Sequence, residues 1–175
     1  IYFDQSVKQR LIGVTMHQFT DATSGNIIFP KIYRAIYGAS FKMFIDKPIL
    51  GHGPKSYREV CKDNRYNVIL NYTSGHNNCS THPHNFYLQL LGETGILGTM
   101  PIVLLLILVT YNLIKSSFII FFNNDNNNNF LILKHFTLLS IFLTLWPLIP
   151  SGNFFNNWFS SIYYFPIGLL IYINS

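Results

Sequence analysis

The side chains best suited to acid–base chemistry collect just before the point where this chain turns apolar. Thr81-His82-Pro83-His84-Asn85-Phe86-Tyr87-Leu88-Gln89-Leu90-Leu91-Gly92-Glu93-Thr94-Gly95-Ile96-Leu97-Gly98 follows a polar, basic, histidine-rich stretch and leads into an almost wholly apolar one. Histidine titrates closer to neutral pH than other side chains, so His84 at that boundary is placed to take a proton from a hydroxyl. A helix starting near His84, with Pro83 in its first turn, brings Leu88, Leu91, Gly95 and Gly98 back to within about 40° of His84, at about 100° per residue. The histidine would then crown a stripe of apolar and small residues that a second helix or a lipid chain can approach closely. Glu93 falls on the opposite face of such a helix.

The elements that must position this stretch belong to a membrane protein. Of 175 residues, 49% are hydrophobic and only 11% charged, against about 25% charged in a soluble domain. The net charge of +5 is unevenly spread: ten of the twelve Lys and Arg, six of the seven acids and five of the six histidines lie in residues 1–95. Most of these charges read as a solvated face, and the basic excess suits anionic lipid phosphates. No basic cluster interleaved with aromatics marks a nucleic-acid site. The chain starts at Ile1 without a signal peptide and is expected to be the C-terminal part of a longer protein.

Within residues 1–95, an extramembrane segment, Val7–Met16 reads as a short helix and Asp21–Asn26 as a loop. Ile32, Ala35, Ile36, Ala39, Met43 and Phe44 recur at helical steps, which predicts a helix over Lys31–Ile45, ended by Asp46-Lys47-Pro48. Gly51-His52-Gly53-Pro54 is either a tight turn or a backbone nest for a phosphate, with Lys55 and Arg58 beside it. Asn64–Asn78 is polar and loop-like. Cys61 and Cys79 are the only cysteines. In an oxidising compartment they can pair, and closing a loop of roughly 17 residues would stabilise by about 3 kcal/mol. A metal site on Cys79 with His76, His82 and His84 is the rival, although the spacing fits no standard zinc pattern. Free thiols are the third alternative.

Residues 96–175 predict three transmembrane helices, at about 96–122, 130–149 and 159–174, separated by the tract Asn123–Asn129 and the loop Pro150–Trp158. The fold class expected is therefore all-α: a mostly helical loop segment followed by membrane helices. Lys115 and Lys134 flank the Asn tract, which the positive-inside rule assigns to the cytoplasm. The His84 motif and Pro150–Trp158 then share the outer side and can meet over one site. Trp146, Trp158, Tyr163 and Tyr164 sit where interfacial anchors belong.

Three segments carry a family resemblance. His84-Asn85, nine residues, Gly95, two residues, Gly98 resembles the His-[Asn/Ser/Gln]-x9-Gly-x-x-[Gly/Thr/Tyr] signature of the O-antigen ligase family. That family takes in O-antigen ligases, O-antigen and capsule polymerases, and bacterial protein O-oligosaccharyltransferases. Met43-Phe44-Ile45-Asp46-Lys47-Pro48-Ile49-Leu50-Gly51-His52-Gly53-Pro54 resembles its Met-Phe-x-Asp-x-Pro-Leu-x-Gly-x-Gly segment. Pro150-Ser151-Gly152-Asn153-Phe154-Phe155-Asn156-Asn157-Trp158 resembles a later family loop.

The resemblance implies a periplasm-facing motif in a multi-pass protein of the bacterial inner membrane. It implies glycosyl transfer from an undecaprenyl-diphosphate-linked glycan to lipid A–core or to a growing glycan, with no metal or other cofactor. Transfer of this kind needs a base for the acceptor hydroxyl, for which His84 fits. It also needs cations for the leaving diphosphate, for which Arg34 and Arg10 lead, followed by Arg58. Arg34 stands one position from where the family arginine is expected, with Tyr33 there instead. Asn85, His82, Lys55 and His52 complete the expected substrate-binding set. A polymerase is the runner-up within the enzyme class. A polysaccharide flippase or ion-coupled transporter is the rival from another class, and would be expected to carry ionisable groups at mid-membrane.

Overall fold

A computed structural model describes residues 5–14, 31–66, 79–122 and 129–174. The predicted loop Asp21–Asn26, most of Asn64–Asn78 and most of the Asn tract lie outside the described residues, as does Met16. Among the described residues the regular structure is all helical. Helix α1 (Gln5–Lys8) passes into a π-helical turn over Gln9–Val14, and α2 spans Lys31–Asp46. The short α3 (Tyr57–Val60) is followed by a 3-10 turn, Asn64–Tyr66. Then come α4 (Phe86–Phe122), α5 (Asn129–Thr144) and α6 (Asn157–Asn174).

Helix α2 forms where the apolar periodicity places it, one residue longer than expected. It buries its small residues, Ala35, Ala39 and Ser40, which lets it lie close against the first turns of α4, and the Ser40 hydroxyl donates to Leu88 O at 2.6 Å. From the same buried face Ile36 and Met43 join Tyr57, Cys61 and Tyr66 in a small core. A disulfide links Cys61 to Cys79 at the edge of that core, with the Cα atoms 5.5 Å apart. A second core joins α4, α5 and α6 through Phe86, Leu90, Val109, Leu138, Ile141, Leu145 and Tyr163.

Helix α4 departs from the expected start. It begins at Phe86, and His84 stands outside it with a left-handed backbone, φ +57°. The Asn85 side chain caps the helix, its Oδ1 accepting from Tyr87 N at 3.0 Å and Leu88 N at 3.1 Å. A second break falls at Gly95, with φ +63° and ψ −162°. His84, Leu88, Leu91, Gly95 and Gly98 therefore do not form one continuous stripe, because helical phase is lost at both breaks. The helix beyond Gly95, Ile96–Phe122, is about 40 Å long at 1.5 Å per residue, enough to cross a bilayer core.

Among the described residues α4 is the one helix long and apolar enough to cross a membrane. The expected span 130–149 is realised only as Asn129–Thr144, short of the roughly 20 residues a crossing needs. Pro147 accounts for the early end, since the residue before a proline avoids the helical region. The expected span 159–174 falls on the helix Asn157–Asn174, which is long enough but less apolar than α4. Far from His84, Ser116 Oγ meets His135 Nδ1 at 2.8 Å and Lys134 Nζ donates to Asn174 Oδ1 at 2.5 Å. Contacts at both ends thus set α4, α5 and α6 running up, down and up.

Candidate functional site

Three stretches distant in sequence converge on His84. The first is its own: Thr81 Oγ1 meets His82 Nδ1 at 3.0 Å, and the Ser80 hydroxyl donates to His82 O. The His82 and His84 rings lie 4.3 Å apart between centroids. The second is the α5–α6 loop. Ser151 N donates to His84 O at 2.9 Å, and Ser151 Oγ accepts from Phe86 N at 2.8 Å. Asn85 Nδ2 reaches Pro147 O at 2.8 Å. The third is α2, whose Tyr33 packs edge-on against the His84 ring at 6.0 Å. The next residue, Arg34, holds a buried Nε with no hydrogen-bond partner among the described residues.

Left-handed backbone costs an ordinary residue roughly 1–2 kcal/mol, so His84 keeps it only because its neighbours impose it. The Ser151 amide fixes the carbonyl on one side, and the Asn85 cap fixes the chain on the other. Both ends of the Asn85 amide are used within the chain, which makes it a structural clamp rather than the free substrate contact expected. Asn85→Ala should therefore destabilise by about 1–2 kcal/mol. Asn85→Ser, which keeps a capping oxygen and loses only the bond to Pro147 O, should cost less. Equilibrium denaturation of the two variants checks the order.

His82 titrates below the ordinary histidine range. Burial is the larger cause and the neighbouring His84 the next, with a Ser151 backbone hydrogen bond acting in the opposite direction. The unfolded chain, with an ordinary value of about 6.5, then binds more protons than the folded one in the window below that value. His82's contribution to stability is present above about pH 6.5 and is lost as pH falls through its lower folded pKa. Thermal melts between pH 7.5 and 5.5 should show a decline that is shallower in His82→Gln. An equal slope in both proteins would count against this.

Gly51-His52-Gly53-Pro54 wraps the helix turn that carries Glu93. His52 N donates to Gly92 O and Gly53 N to Glu93 O, at 3.2 and 2.7 Å. Lys55, at φ +62°, donates its amide to Glu93 Oε2 at 3.0 Å, and Tyr57 N donates to Glu93 Oε1 at 2.8 Å. The amides of Gly51, His52 and Gly53 thus go to main-chain carbonyls, as in a turn, while the amides just after it serve the fully buried Glu93 carboxylate. His52 is likewise engaged internally. Its Nε2 lies 3.1 Å from Met43 O and 3.5 Å from Asp46 Oδ2, and its ring stacks edge-on against Tyr66 at 5.5 Å.

The Lys55 and Arg58 side chains are exposed. With His52, they make no hydrogen bond or ring contact with His84. A cavity of about 510 Å³, lined in part by Asp46, His52, Arg65 and Tyr66, lies on their side of the fold and includes neither His82 nor His84. The Arg10 side chain lies outside the described residues. Cys79 is committed to the disulfide, which removes it from the metal alternative, and among the described residues no group of three His, Cys, Asp or Glu gathers as metal ligands.

Sequence reasoning passed over the residue that joins these parts, Gln89. Gln89 donates Nε2 to Glu93 Oε2 at 3.1 Å and to Asn153 Oδ1 at 2.9 Å, while its Oε1 accepts from Phe154 N at 3.0 Å. The signal available was a lone acid, Glu93, and an amide four residues before it, both entering an apolar run. Such groups are expensive unless paired.

The sequence model described as O-antigen ligase matches residues 5–103 of the 175. No curated protein and no solved structure matches the chain. The matched region is more than half of the chain and holds α2, the glycine turn, the buried Glu93 and His84 with its cap; the chain belongs to the O-antigen ligase family.

Proposed function

We propose that this chain carries the reacting segment of a membrane glycosyltransferase. It moves a glycan from undecaprenyl diphosphate onto an acceptor hydroxyl at the outer face of the bacterial inner membrane. The observation that carries the reading is the convergence on His84 of the α5–α6 loop and of α2, which bears Arg34 with its unpartnered Nε. In the reaction His84 takes the acceptor hydroxyl's proton as that oxygen bonds to the anomeric carbon. The bond from that carbon to the diphosphate breaks, and the electron pair leaves with the diphosphate oxygen. A base with pKa near working pH suits the first event, and a permanently charged guanidinium suits the second. Arg34 is assigned that role, with Arg10 as the second candidate.

Lys115 and Lys134 are assigned to the cytoplasmic side, which puts His84 and Pro150–Trp158 outside. The acceptor is lipid A–core for a ligase and a growing glycan for a polymerase. Deleting the gene and analysing the cell's surface polysaccharide separates the readings. Full-length glycan stranded on its lipid carrier indicates a ligase, and single repeat units indicate a polymerase. Unchanged surface polysaccharide would reject both.

A further inference from the structure

Glu93 is fully buried and so cannot touch a substrate, yet it ties the glycine turn to α4 and, through Gln89, to the α5–α6 loop that frames His84. Its carboxylate gathers the amides of Lys55 and Tyr57 from the glycine turn and Nε2 of Gln89 from its own helix. Gln89 passes the constraint on. Its Nε2 faces two acceptors, Glu93 Oε2 and Asn153 Oδ1, and its Oε1 faces the Phe154 amide. The orientation of the Gln89 amide is therefore dictated at both ends. Asn153 Oδ1 also accepts from Phe155 N at 2.9 Å, which shapes the loop whose Ser151 N–H grips the His84 carbonyl. The path from Glu93 to His84 is thus Glu93, Gln89, Asn153, Ser151, His84, with a hydrogen bond or a short loop segment at each step.

We infer that Glu93 and Gln89 are positioning residues for His84, and that through the Asn153 loop they hold its left-handed backbone at the angle that presents its ring. The inference rests on the reading of His84 as the base only for its kinetic consequence; the geometric consequence stands without it. A misplacement of about 1 Å can cost roughly 100-fold in rate, whereas glycan binding by the rest of the chain would be untouched.

The polarity of the relay provides isosteric variants. Glu93→Gln turns an NH2 toward the donors now served by one carboxylate oxygen, and Gln89→Glu sets a carboxylate against Glu93 and Asn153. Asn153→Ala is a milder variant, on a half-buried loop residue, and cuts the relay at its far end without placing a charge in the core.

The test uses the full-length protein in nanodiscs with an undecaprenyl-diphosphate-linked glycan. Two quantities are read for each folded variant: kcat and KM for that donor, and the pH profile of His84 modification by diethyl pyrocarbonate, followed on its peptide by mass spectrometry. Glu93→Gln and Gln89→Glu should lower kcat roughly 10–100-fold with KM within about twofold, and should shift the rate or midpoint of His84 modification. Asn153→Ala should reproduce both effects in weaker form, and decides the matter where the core variants do not fold. Wild-type kcat per folded molecule with an unaltered His84 profile would overturn the inference and leave Glu93 a purely structural carboxylate. If His84→Ala proves active, the base reading fails, and the modification profile alone still decides whether Glu93 positions the ring.

Discussion

His84→Ala should reduce glycan transfer by about 10²–10⁴-fold, the contribution of a general base, at unchanged protein level and membrane insertion. The ring is half-buried, and the contacts that bind this position to the α5–α6 loop run through its backbone carbonyl, which alanine retains. His84→Gln keeps hydrogen-bonding capacity but cannot accept a proton near pH 7, and should fail nearly as badly. His84→Asn is the more stringent control, because asparagine tolerates the left-handed region better than most residues. It should match the wild type in stability and still be inactive. Arg34→Lys should be impaired as well, since lysine loses the forked geometry for a diphosphate. Transfer by His84→Ala at near-wild-type rate would remove the base assignment. Activity in His84→Gln alone would make the residue a substrate-positioning group.

Gly95→Ala should be, with Gly51→Ala, among the most damaging single-methyl changes at the described residues. Gly95 takes φ +63°, and a Cβ there would sit 2.4 Å from Ile49 O and 2.7 Å from Pro48 O. Those carbonyls come close for a reason. The break at Gly95 frees the amides of Ile96 and Leu97, which donate to Pro48 O at 2.8 Å and Ile49 O at 3.2 Å. The turn after α2 thus caps the membrane helix. An alanine must distort backbone rather than a flexible side chain, costing about 1–2 kcal/mol for its conformation and about 1–3 kcal/mol for the overpacking. Losing the two capping bonds adds to this. The expected result is loss of folded protein at physiological temperature, measured as detergent-extractable monomer. Gly98→Ala should also destabilise, because its Cβ would lie 2.4 Å from Thr94 Cβ, an atom that rotation of the Thr94 side chain does not move. Equal yields of Gly95→Ala and wild type would refute the close approach.

Much of this architecture could be read from the sequence where side-chain pattern decides it. Helix α2 follows from the spacing of Ile36, Ala39 and Met43, and its end follows from Pro48. The meeting of Pro150–Trp158 with the histidine motif follows from topology alone. What could not be read is what the backbone decides. Histidine enters the left-handed region more often than most residues, but nothing in the spacing singles out His84 for it, and a glycine inside a helical pattern does not announce a break, so phase arguments carried across Gly95 fail. The face assigned to Glu93 relied on a helix running from His84, which lapses because α4 starts at Phe86; the partners of Glu93 are two main-chain amides and the Gln89 side chain, and the amides are not found by a search for complementary side chains. His52 looked available for a ligand because its engagement with Met43 O and Asp46 depends on how the turn folds back on α2.

The most direct test of the central claim is transfer by purified full-length protein in liposomes, given an undecaprenyl-diphosphate-linked glycan and its acceptor. The account predicts a new glycosidic bond on the acceptor and one undecaprenyl diphosphate released per bond, with both lost in His84→Ala. Intact lipid-linked glycan appearing on the opposite leaflet, with no diphosphate released, would contradict it.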